Sequence, residues 1–115
     1  QFVTGLLFAL PLLEGDSRII VTGGFESRGY VDLTADILRR FGIDITAEGD
    51  TFIIPGNQKY KPRDITVEGD YSQAAFFLVA GAISGGIRVE GLDAHSLQPD
   101  RVIVDILKRM GADIS

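Results

Sequence analysis

The run Asp36-Ile37-Leu38-Arg39-Arg40-Phe41-Gly42-Ile43-Asp44-Ile45-Thr46 returns near the other end of the chain as Asp105-Ile106-Leu107-Lys108-Arg109-Met110-Gly111-Ala112-Asp113-Ile114-Ser115. A chain that repeats itself is built from copies of one supersecondary unit, so the structural unit is smaller than the chain. The same physics acts in each copy. Ile37, Leu38 and Phe41, and likewise Ile106, Leu107 and Met110, fall on the apolar stripe of an amphipathic helix. Gly42 and Gly111 follow where a helix stops in a left-handed residue. A short alternating segment comes next in both copies.

The echo reaches further back. Gln1–Leu13 and Gln73–Ile83 are nearly continuous apolar runs. Each is followed by glycine and then by a β-branched strand, Ile19-Ile20-Val21 or Ile87-Arg88-Val89, closed by Gly23-Gly24 or Gly91. The repeated order is apolar helix, strand, amphipathic helix, strand, which makes the fold class α/β. A helix apolar on all sides is expected to be covered on all sides, so the two apolar helices are expected to be buried within their units.

Along the chain the pattern predicts a helix over residues 1–13 with Pro11 in its last turn, and a strand over 18–22. Ser27 is placed to cap a helix over 28–41. A hairpin over 44–48 and 51–55 turns at Gly49-Asp50. Residues 56–64 are polar, without periodicity, and read as the linker; they include the basic cluster Lys59, Lys61 and Arg63, which reads as a solvated loop. A strand is expected over 65–68. Asp70, with Gln73 three residues on, has capping-box spacing ahead of the second apolar helix, which runs to Ser84. A strand over 87–90 and a loop over 93–98 follow. Pro99 fits the first turn of the last helix, which ends at Met110.

The 115 residues lie in the single-domain range, and a folded chain of that size buries roughly two-thirds of its unfolded surface. The absence of cysteine excludes disulfides and thiolate metal sites and suits a cytoplasmic protein. A net charge of −5 argues against a phosphate-backbone binder, so no nucleic-acid partner is expected. The apolar runs fall short of the ~20 residues that span a bilayer, so no membrane partner is expected either. Gln1 already lies inside a helical pattern, with no methionine and no cap before it, which reads as an internal piece of a longer chain.

Four stretches carry a resemblance. Gln1-Phe2-Val3-Thr4-Gly5-Leu6-Leu7 resembles the segment after a pair of serines in the 5-enolpyruvylshikimate-3-phosphate synthase family. Ser27-Arg28-Gly29-Tyr30-Val31-Asp32-Leu33-Thr34 is similar to that family's Ser-Lys/Arg-x-Tyr-x-Asp-x-Thr helix start. Val67-Glu68-Gly69-Asp70-Tyr71-Ser72-Gln73-Ala74-Ala75-Phe76 resembles its Val-Glu-Gly-Asp-x-Ser stretch, and Ser96-Leu97-Gln98-Pro99-Asp100 its Ser-x-Gln-x-Asp loop. Any one would be weak; four in register are specific.

The resemblance implies transfer of the enolpyruvyl group of phosphoenolpyruvate to the 5-hydroxyl of shikimate 3-phosphate, with release of phosphate and no metal or organic cofactor. It implies an inside-out barrel of repeated α/β units. Residues 1–64 would be the last unit of one domain, and 65–115 the first part of the other. It also implies partners: the two small-molecule substrates and the remainder of a longer chain, with self-association of the isolated piece as a further expectation.

On residues alone, Ser27 is a helix cap or an anion site, because a helix start with a hydroxyl favours phosphate. The resemblance puts Ser27 on the 3-phosphate and makes Gln1, Arg28 and Tyr30 substrate-binding as well. No catalytic residue is assigned. Asp70 reads as a helix cap, and the single histidine, His95, as a solvent-facing loop residue. The family's general acid/base groups and most of its substrate-binding arginines match nothing in this sequence, so the chain alone is expected to be inactive. Two rivals stay open: the sister enolpyruvyl transferase acting on UDP-N-acetylglucosamine, and a non-catalytic α/β module that docks to a partner chain.

Overall fold

Phe52 and Ile54 are both fully buried, and they lie on the strand that the other two strands share. A computed structural model describes residues 1–115 as two compact units, Gln1–Ile65 and Thr66–Ser115. The first unit runs α1 (Phe2–Ala9), a short 3₁₀ turn, β1 (Ser17–Ile20), α2 (Arg28–Arg40), β2 (Thr46–Glu48) and β3 (Thr51–Ile54). The second runs α3 (Tyr71–Ser84), a 3₁₀ turn and α4 (Val102–Arg109).

In the first unit β3 lies between β1 and β2 and is antiparallel to both. Ile19 and Ala47 both face Phe52 across the ladder. Strand alternation then sends Phe52 and Ile54 to one face. There they meet Leu7 of α1, Val31 and Leu38 of α2, and Ile43 and Ile45 of the connection that leads to β2. The helix ends as the repeat predicts. Gly42 has φ +80° and Gly111 φ +94°, the left-handed region that glycine enters without a Cβ penalty.

Residues 56–64 are not a linker. The amide of Asn57 donates to the Leu13 carbonyl at 2.6 Å and that of Gln58 to the Pro11 carbonyl at 2.8 Å. The Lys61 amide donates to the Phe41 carbonyl, and the Tyr60 hydroxyl to the Phe8 carbonyl at 2.7 Å. The Gln58 side chain accepts from the Asp44 amide at 2.6 Å and donates to the Asp44 carbonyl at 2.9 Å. Gly56 makes this return possible, since a Cβ there would stand 2.4 Å from the Gly15 carbonyl oxygen. The polar composition serves backbone groups from distant parts of the unit.

The helix expected over 1–13 is α-helical only to Ala9. Pro11 sits in a 3₁₀ turn, where its missing donor and fixed φ are tolerated. The segments 65–68 and 87–90 are not strands, because neither pairs with a neighbouring strand. The apolar helices are not covered. Leu7 is the buried residue of α1, while Phe2 is 91% exposed; in α3, Phe76 and Ile83 are 74% and 83% exposed. The three-stranded sheet covers one side of α1, and the second unit has no sheet to cover α3.

The start of α3 is fixed by side chains. Asp70 accepts from the Ser72 amide at 2.8 Å and the Ser72 hydroxyl at 2.7 Å. Gln98 bridges the same turn: its Nε2 donates to the Gly69 carbonyl, and its Oε1 accepts from the Tyr71 amide. The Tyr71 ring is buried and its hydroxyl donates to the Asp93 carbonyl at 3.0 Å. Burial pushes the Tyr71 phenol up, since desolvation disfavours its charged form. The hydrogen bonds from Ser72, side chain first and then backbone, hold the Asp70 carboxyl below its ordinary value.

Two outcomes follow. Phe52→Ala should cost the first unit about 3–5 kcal/mol in a urea titration, the range for emptying a fully buried aromatic site; a loss below about 1 kcal/mol would show that β3 is not the core strand. The stability that the ionised Asp70 gives to α3 is complete above the unfolded carboxylate pKa. It is lost as pH falls through the lowered folded value. The Ser72 amide shift should therefore titrate below the ordinary carboxylate range, and Asp70→Asn should abolish the step. A midpoint at or above that range contradicts the cap.

Candidate functional site

The facing sides of α1 and α2 carry the same spacing. Gln1, Thr4, Gly5 and Phe8 lie at i, i+3, i+4 and i+7, and so do Ser27, Tyr30, Val31 and Thr34. These two stripes, with Leu33, line a cavity of about 670 Å³ in the first unit. Gly5 leaves the α1 side open, with no atom within 4 Å of the place a Cβ would occupy. The floor is apolar, from Phe8, Val31 and Leu33. The polar groups are the Gln1 amide and the hydroxyls of Thr4, Ser27, Tyr30 and Thr34.

Three of the four site residues expected from sequence (Gln1, Ser27 and Tyr30) thus share one cavity. Ser27 holds the N-cap position of α2, but its hydroxyl makes no cap bond. Its ψ of 28° is not the extended value that turns a cap oxygen toward the first-turn amides. Its hydroxyl is therefore not consumed by the helix, and Ser27 is exposed. Tyr30 is 48% exposed, and its carbonyl accepts from the Thr34 hydroxyl at 2.8 Å.

Arg28 does not join the cavity lining. Its Nη1 donates to Asp50 Oδ1 at 2.9 Å, and its Nε lies 3.5 Å from Asp32 Oδ2. The guanidinium also stands 5.8 Å from the centre of the Phe25 ring, which packs edge-on against Phe52 at 6.3 Å. Arg28 thus ties the loop that carries Ser27 to the Gly49-Asp50 turn. Both partners are solvent-exposed in part, so screening keeps the contribution small.

Sequence reasoning missed Thr4 and Thr34. The signal was present in the i, i+3, i+4, i+7 spacing that each shares with a residue already singled out. His95 is exposed, and no group of three or more acidic, histidine or cysteine side chains is arranged to hold a metal ion. No helix is long and apolar enough to cross a membrane.

Arg28→Ala should lower stability by less than about 1 kcal/mol. It should broaden or shift the amide signals of residues 23–27 more than those of β1. A loss of several kcal/mol would mean that the Asp50 pair acts as a buried one.

The full chain, residues 1–115, matches the family described as EPSP synthase (3-phosphoshikimate 1-carboxyvinyltransferase). Curated relatives named 3-phosphoshikimate 1-carboxyvinyltransferase include those of Clostridium novyi, at 53% identity, and Clostridium kluyveri, at 57%, each over 115 residues and 99% of this chain. The relative in Clostridioides difficile is 54% identical over 115 residues, again 99% of this chain. The chain spans only 26% of the Clostridium novyi and Clostridioides difficile proteins and 27% of the Clostridium kluyveri protein. With the match running through both units, the chain belongs to the EPSP synthase (3-phosphoshikimate 1-carboxyvinyltransferase) family.

Proposed function

We propose that the protein carrying this chain transfers the enolpyruvyl group of phosphoenolpyruvate to the 5-hydroxyl of shikimate 3-phosphate, as a cytoplasmic enzyme of aromatic amino acid biosynthesis. A bond forms from the 5-oxygen to the enolpyruvyl carbon, the bond from that carbon to the phosphate oxygen breaks, and the hydroxyl proton leaves with phosphate. The observation that carries the reading is the convergence of Gln1, Ser27 and Tyr30 on one cavity in a chain of this family.

In this reading the cavity receives shikimate 3-phosphate. The Ser27 hydroxyl and the start of α2 take the 3-phosphate, since first-turn amides and the helix dipole favour an anion. The Gln1 amide and the Tyr30 hydroxyl take ring hydroxyls. Arg28 reaches the phosphate only by exchanging Asp50 and Asp32 for it. Two anionic substrates require dense positive charge, and a chain of net charge −5 does not supply it. The isolated chain therefore does not turn over. The two units are read as the last unit of one domain and the start of the other, within the repeated-unit inside-out barrel. Exposed Phe2, Phe76, Phe77 and Ile83 favour self-association of the isolated chain.

Adding shikimate 3-phosphate to the labelled chain should move amide signals centred on Ser27, Tyr30 and Gln1, with Arg28 following. Ser27→Ala should weaken that response several-fold. Shifts elsewhere, or none in a folded sample, would overturn the assignment of these residues as the substrate surface.

A further inference from the structure

One short segment ties the far ends of both helices that wall the cavity. Tyr60 and Lys61 are neighbours in sequence, yet they bond to different helices. The Tyr60 hydroxyl donates to the Phe8 carbonyl in the last turn of α1 at 2.7 Å. The Lys61 amide donates to the carbonyl of Phe41, the C-cap of α2, at 2.8 Å. Just before them, the Gln58 amide donates to the Pro11 carbonyl and the Asn57 amide to that of Leu13, both beyond the end of α1. On the α2 side the Lys61 stem lies over the glycine stop, where a Cβ on Gly42 would stand 2.8 Å from it.

These bonds fix what the apolar contacts leave free. The buried residue of α1 is Leu7, with Val3 and Leu10 packed partly against the core. Apolar contact is non-directional, so it holds α1 on the core without setting its rotation or its slide along its own axis. A hydrogen bond to a main-chain carbonyl has both a length and a direction. Phe8 is the residue where this matters. Its carbonyl takes the Tyr60 bond, and its side chain lines the cavity with Gln1, Thr4 and Gly5. Gln1 lies two turns back along α1, about 10 Å of helix rise, so a small tilt at Phe8 is enlarged there. The Tyr60 ring packs against the core, and burial pushes its phenol up, so the hydroxyl keeps its proton and donates at neutral pH.

We propose that Tyr60 is a positioning residue for the substrate cavity. With the Lys61 amide it sets where α1 lies against α2, and hence the distance from the stripe that carries Gln1 to the stripe that carries Ser27 and Tyr30. Tyr60 does not line the cavity and acts through Phe8. The inference rests on the reading of this cavity as the shikimate 3-phosphate site.

Tyr60→Phe removes the bond and keeps the ring. In the whole protein that carries this chain, it should raise KM for shikimate 3-phosphate about three- to tenfold, as the loss of one hydrogen bond predicts. It should leave kcat within about twofold, the pattern of lost binding rather than lost chemistry. Ile54→Val, a core change of similar cost on β3, should leave both constants unchanged. In the ligand-free chain, Tyr60→Phe should move the amide signals of Thr4, Gly5 and Phe8 while those of β2 and β3 stay in place. An unchanged KM in an active Tyr60→Phe protein overturns the proposal, and so does an equal rise in Ile54→Val. A parent protein without transferase activity overturns the substrate reading instead. The α1 amides then decide the positioning, and unmoved signals at Thr4, Gly5 and Phe8 overturn that as well.

Discussion

Burial of the inner face of β3 is the constraint on which the first unit depends. Phe52 and Ile54 have no exposed surface, and each surrounding element is placed by contact with them. α1 offers Leu7, α2 offers Val31 and Leu38, and the chain between α2 and β2 offers Ile43 and Ile45. Fully burying side chains of this size is worth about 1.5–3 kcal/mol each before entropy is counted. Phe52 also meets Phe25 edge-on, and so the core reaches the loop that presents Ser27.

The site follows from that packing. α1 and α2 lie together because both pack on the core around β3, and their facing stripes then line a cavity that gathers Gln1, Thr4, Ser27, Tyr30 and Thr34 beside Phe8, Val31 and Leu33. The polar return segment holds the arrangement from below. The Gln58 side chain serves the Asp44 amide and the Pro55 carbonyl, and the Tyr60 hydroxyl serves the Phe8 carbonyl near the end of α1. Each such bond nets only about 1 kcal/mol.

Much of this was legible in the sequence. α2 and α4 were readable because their stripes are amphipathic and their glycine stops are strict. The β2–β3 hairpin was readable because Gly49-Asp50 interrupts an alternating run. Segments 65–68 and 87–90 were misread as strands, since β-branched residues set a propensity while pairing needs a neighbour. The linker was misread because the partners of Asn57, Gln58 and Tyr60 lie more than forty residues away for two of the three side chains. The full burial expected of α1 and α3 failed for one reason: apolar composition favours burial without supplying a covering layer, and the second unit has no sheet to cover α3. Of the expected site, Gln1, Ser27 and Tyr30 converge, whereas Arg28 turns to Asp50. The charges that draw it there are set by the hairpin turn, which no local motif reveals.

The first unit holds a three-stranded sheet around β3, and the second holds no strand. Residue-resolved hydrogen exchange on the 115-residue chain tests this most directly. The slowest amides should belong to β1, β3 and α2, with Ile19, Phe52 and Leu38 among them, while Gly86–Glu90 exchange close to the unprotected rate. Protection of Gly86–Glu90 equal to that of β3 in the monomeric chain would contradict the account.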